Sequence, residues 1–112
     1  MNHDPLRIFV DCAIEKGDFH PDSKQDRHLF KKMSEAFHAL MTQKDGHERF
    51  EQLLHHHSPH VRLWAATQMI CVGHAAAHGV LDSLAAHSGY PGSTARLVLS
   101  EYLQGRLRPP FG

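Results

Sequence analysis

The chain has 112 residues, the length of one domain, and a chain of that size buries roughly two thirds of the surface it exposes when unfolded. An apolar fraction of 41%, a charged fraction of 21% and a mean hydropathy of −0.42 fit a globular chain and exclude the high-net-charge profile of a disordered one. Twelve Lys and Arg balance twelve Asp and Glu, so the positive footprint of a protein that works on phosphate backbones is missing and a nucleic-acid partner is disfavoured.

Apolar residues recur with the helical period along nearly the whole chain, and no segment alternates with the period of two that a half-buried strand needs. Six helices are predicted. The first takes Asp4 as its N-cap and Pro5 as its first residue, buries Leu6, Phe9, Val10 and Ala13, and closes near Gly17. After a turn at Phe19-His20-Pro21, the second runs from about Asp22 to Gln43 on a stripe of Leu29, Phe30, Met33, Phe37, Leu40 and Met41. The third starts at Asp45, with Glu48 at capping-box spacing, and presents Phe50, Leu53 and Leu54.

Ser58-Pro59 ends that helix and caps the fourth, which extends to about Val72. Its apolar positions are too many for one narrow stripe, so it should be the central helix, with Trp64 and Ala65 in the interior. The fifth spans about Ala75 to His87 and is weakened by Gly79, which costs about 1 kcal/mol relative to alanine. Gly89 and Pro91-Gly92 form a turn, and the sixth runs from about Ser93 to Gln104 on Ala95, Val98, Leu99, Tyr102 and Leu103. Gly105 stops it. The expected organisation is one domain over residues 1–105, followed by an extended tail over residues 106–112 pinned to the domain.

A weak repeat links helices three and four to helices five and six. Phe50-x-x-Leu53-Leu54 followed by Val61-Arg62 and Ala65 matches Leu81-x-x-Leu84-Ala85 followed by Ala95-Arg96 and Leu99. Such a pattern marks stacked helical hairpins, each leaving a hydrophobic face for its neighbour to cover. The segment Leu53-Leu54-His-His-His-Ser58-Pro59-His60-Val61-Arg62-Leu-Trp-Ala65-Ala66 resembles the HEAT repeat, whose second helix begins with a cap, a proline and Val-Arg followed by small residues. Leu29 to Gly105 as a whole is similar to a family of small bacterial HEAT-like domains. That resemblance implies an all-α architecture of stacked antiparallel helix pairs, a HEAT-like superhelix, and implies nothing catalytic. HEAT repeats often place an acidic residue about five positions before the valine, where it pairs with an arginine of a neighbouring repeat; here His56 holds the place.

Cys12 and Cys71 are too few for a disulfide framework and form no Cys-x-x-Cys pair, which suits a reducing compartment. Without a basic N-terminal region leading into a long apolar stretch, or 18 consecutive apolar residues anywhere, the expected location is the cytoplasm, with no membrane contact. The outlying count is twelve histidines. With pKa values near 6.5, they would carry the net charge from zero toward about +11 by pH 5.5.

His55-His56-His57 and His60 straddle the turn between helices three and four, and His74 and His78 stand four apart, the spacing of two zinc ligands on one helical face. No His-Glu-x-x-His motif completes such a site, and solvated surface histidines are the simpler reading. Cys71 lies in an apolar run where a thiol is inert. No glycine-rich phosphate loop occurs. The chain is therefore read as non-catalytic, without cofactor, and as an interaction module whose partner is another protein. Equivalent positions of stacked hairpins line up on one side, which places the contact face at His57, His60 and Arg62, with Tyr90 and Arg96 in the next hairpin. Arg62 itself has two readings, first a structural one, bonding to carbonyls or stacking within the hairpin packing, and second a contact with a partner. The alternative function is a metal- or proton-responsive protein that uses its histidines, His74 and His78 for a metal.

Overall fold

The computed structural model describes residues 4–17 and 24–112. All regular structure among them is helical: α1 (Pro5–Lys16), α2 (Lys24–Met41), α3 (Gly46–Glu51), a 3-10 turn (Gln52–His55), α4 (Pro59–Ile70), α5 (Ala75–Ala85) and α6 (Gly92–Leu103). The predicted turn at Phe19-His20-Pro21 and the predicted start of the second helix at Asp22 lie outside the described residues. No helix among those described is long and apolar enough to cross a membrane. The chain divides into two compact units, Met1–Phe50 and Glu51–Gly112.

In the first unit, Asp4 accepts a hydrogen bond from the Leu6 N–H and Pro5 opens α1, which satisfies a backbone donor that the helix itself leaves unpaired. The other Asp4 oxygen takes the Arg49 guanidinium at 2.6 Å, and that arginine holds the carboxyl below its ordinary range. Phe50 sits edge-on to both Phe9 and Phe37, with ring centroids 5.1 and 5.0 Å apart, so α1, α2 and α3 each contribute one ring to the core. Lys16 and Asp26 form a largely buried ion pair that ties the end of α1 to the start of α2. Gly46 begins α3 because no larger residue fits: a Cβ there would stand 1.8 Å from the Leu40 carbonyl oxygen.

In the second unit, α5 packs against both α4 and α6, and the 3-10 turn packs on α4. The breadth of apolar positions on α4 is realised in burial of Val61, Leu63, Ala65, Ala66, Met69 and Ile70, together with the polar Thr67 and Gln68. Thr67 satisfies its hydroxyl on the Leu63 carbonyl at 2.7 Å. Ala65 is fully buried, as expected, whereas Trp64 is only partly so. Its ring lies 5.7 Å from that of Phe111, at the margin of the buried sector of α4. On α6 the predicted stripe is realised at Ala95 and Val98 and fails at its end, where Tyr102 and Leu103 are exposed. Gly105, at φ 72°, takes the left-handed conformation that ends the helix. Beyond it Phe111 is buried, and its N–H donates to Gln68 Oε1 at 3.0 Å, a pairing that satisfies a polar side chain inside α4.

Candidate partner-binding surface

The geometry begins at the turn before α4. Leu53 and Leu54 are buried and anchor the 3-10 turn, after which His56 turns the backbone to an extended conformation. Ser58 caps α4, its Oγ accepting from the Val61 N–H at 3.5 Å, and Pro59 supplies the preset first turn. His56 Nδ1 accepts the Ser58 N–H at 3.0 Å, which requires that nitrogen to be unprotonated. Burial first, then the neighbouring His57 and Arg62, pushes the His56 pKa down. The two imidazoles of His56 and His57 stack with centroids 4.3 Å apart.

Arg62 closes this turn. Its Nη1 donates to the carbonyls of His56, at 2.7 Å, and His57, at 3.1 Å. Arg62 thus takes its partners from the backbone oxygens of the turn it closes. Arg96 does the same work in the next hairpin: its Nη1 donates to the carbonyls of Ala85, at 2.8 Å, and His87, at 3.0 Å, at the end of α5. Cationic donors are favourable there, where helix carbonyls lack partners. Gly92 is held close beneath this clamp, since a Cβ on it would meet the His87 oxygen at 2.0 Å.

The structure brings the expected contact residues together in part. His60, on the first turn of α4, stacks on Tyr90 in the turn between α5 and α6, with centroids 5.2 Å apart and planes 22° from parallel. Arg62 and Arg96 hold equivalent turns, and His57 lends its carbonyl to one of them. Both arginines spend a single guanidinium nitrogen on carbonyls, and among the described residues no carboxylate pairs with either. Beside Arg62 opens a groove of about 410 Å³, walled by Leu54, His55 and Arg62 on one side and by Ala76, Gly79, Val80 and Ser83 of α5 on the other.

His74 and His78 face different carboxylates. His74 precedes the first residue of α5, and its Nε2 lies 3.1 Å from Glu51 Oε1. His78 Nδ1 lies 3.0 Å from Asp82 Oδ2. Among the described residues, no three His, Cys, Asp or Glu side chains converge as metal ligands would. The pairing of His74 with Glu51 escaped the sequence, where Asp82 is the nearer acid; packing of the 3-10 turn against α5 is what carries Glu51 into reach. Cys71 donates its thiol to the Thr67 carbonyl at 3.4 Å, and burial pushes its pKa up, the condition of an unreactive sulfur.

Residues 3–102 match the model of a domain of unknown function, DUF2019, and the chain belongs to that family. No curated protein and no solved structure matches it.

Proposed function

We propose that this member of the DUF2019 family is a non-catalytic protein–protein interaction module of HEAT-like type, of the kind a small bacterial adaptor or neutraliser would be. The observation that carries this reading is the pair of turns clamped by Arg62 and Arg96 and bridged by the His60–Tyr90 stack. Clamped arginines and a stacked tyrosine are rigid before any partner arrives, so little side-chain freedom remains to be lost on binding, and Arg and Tyr are common interface anchors. HEAT-like stacking is supported by the arginines themselves, which stand at matching positions of successive hairpins.

The test is retention of a partner from the source cells by untagged chain, followed by Arg62→Ala and Tyr90→Ala variants whose helicity is checked by circular dichroism. Folded variants should lose about 2 kcal/mol of binding at a true anchor. Two folded variants that bind as tightly as the parent would move the site off this surface. A second reading, a proton-responsive protein, is favoured by one observation, the acceptor role of His56 Nδ1 at the cap of α4.

A further inference from the structure

We propose that the groove between α5 and the 3-10 turn receives an acidic segment of a partner protein, a carboxylate of which docks on the Nε and Nη2 edge of Arg62. This rests on the interaction-module reading and adds the chemistry of the partner to it.

Three observations converge on that occupant. Arg62 Nη1 is fully used on the carbonyls of His56 and His57, which fixes the plane of the guanidinium. The edge left over carries two parallel N–H donors, the fork that matches a carboxylate in bidentate geometry. A preset fork loses little freedom when it is filled.

Charge balance in the second unit points the same way. From Glu51 to Gly112 the side-chain carboxylates are Glu51, Asp82 and Glu101, and each already faces an internal partner, His74, His78 and Arg106 respectively. Arg62 and Arg96 lean on carbonyls instead, and His55 lines the groove beside Arg62. Arg62 and Arg96 therefore have no carboxylate of this unit as a partner, and a complementary partner brings the acid. A phosphate backbone fits less well, because this unit has no lysine and the chain as a whole is neutral.

The floor is shaped for close approach. Ala76, Gly79 and Ser83 line the α5 wall over two helical turns, about 10 Å, and a Cβ placed on Gly79 would meet nothing within 4 Å. Backbone of a docked segment can lie directly on these small residues, with Leu54 and Val80 beside it to receive an apolar side chain.

The experiment is selection of a random-peptide display library on the intact chain, with the enriched peptides then titrated against the parent, Gly79→Glu and Gly79→Gln. Open space at position 79 lets both variants fold, which circular dichroism and the thermal midpoint check. Enriched peptides should be net acidic, and should lose at least about tenfold in affinity for Gly79→Glu and clearly less for Gly79→Gln. Peptides that lack acids, or that bind Gly79→Glu as tightly as the parent, overturn the acidic groove while leaving an interaction module in place. Failure to enrich any peptide above the bare support overturns the interaction reading as well. Displacement of acidic peptides by a random-sequence DNA duplex at matched salt would assign the groove to nucleic acid and overturn the proposal.

Discussion

The His60 imidazole lies against the Tyr90 ring at 5.2 Å and 22°, joining the first turn of α4 to the turn that precedes α6. Tyr90 is half exposed, so the contact holds two turns in register more than it fills a core. A double-mutant cycle of His60→Ala and Tyr90→Ala should give a coupling of about 0.5–1 kcal/mol in thermal or urea unfolding. Strict additivity would show that the two turns are positioned independently.

Acid should weaken the fold through His56. Its folded pKa is depressed, chiefly by burial, against about 6.5 in the unfolded chain. As pH falls below the unfolded value, the unfolded state takes up a proton that the folded state refuses, so stability present at neutral pH is lost toward and through the folded pKa. Protonation would also place a hydrogen on Nδ1, where the Ser58 N–H now donates. The urea midpoint should be lower at pH 5.5 than at pH 7.5, and His56→Asn, which keeps an acceptor that does not titrate in this range, should narrow the difference. An unchanged difference in that variant would remove His56 from the account.

Two glycines should respond in opposite directions to the same substitution. Gly92→Ala drives a Cβ to 2.0 Å from the His87 oxygen, displacing a carbonyl that Arg96 grips. A loss of about 1–3 kcal/mol is expected, as for other overpacked sites. Gly79→Ala meets open space within α5 and should gain about 0.5–1 kcal/mol from helix propensity. Thermal midpoints of the two variants that shift in the same direction would contradict the local geometry.

Phe111 should matter as much as a core residue of α4. It is 3% exposed, and its N–H satisfies the buried Gln68 side chain. Phe111→Ala should cost about 3 kcal/mol, within the range for core aromatic truncations. A midpoint unchanged within error would mean that the tail contributes nothing to the second unit.

Local signals were legible at two helix starts, and less so at α3, where the Asp45 and Glu48 spacing is not accompanied by a capping bond among the described residues and Leu53 and Leu54 fall in a 3-10 turn. Asp4-Pro5 and Ser58-Pro59 cap their helices as their chemistry requires, and the apolar breadth of α4 becomes its burial. Long-range pairings were not legible. Nothing in the sequence of a Pro-Pro-Phe tail says that Gln68 awaits its N–H, or that Trp64 would share an edge with it and stay partly exposed. The stripe on α6 fails at Leu103, 76% exposed, because periodicity shows which residues share a face and not whether a neighbour covers it to the end. At the candidate surface, the type and spacing of Arg62 and Arg96 were readable from the repeat, while their carbonyl partners depend on turns that only the folded chain defines.

The central claim is that the clamped turns of the second unit form the partner-binding surface, and amide hydrogen exchange tests it most directly. Exchange would be compared between the chain alone and the chain in complex with the partner it retains from its source cells. New protection should concentrate on residues 55–62 and 76–96, which hold the two arginine clamps, the His60–Tyr90 stack and the groove wall. Protection confined to α1 and α2, with those segments unchanged, would contradict the claim.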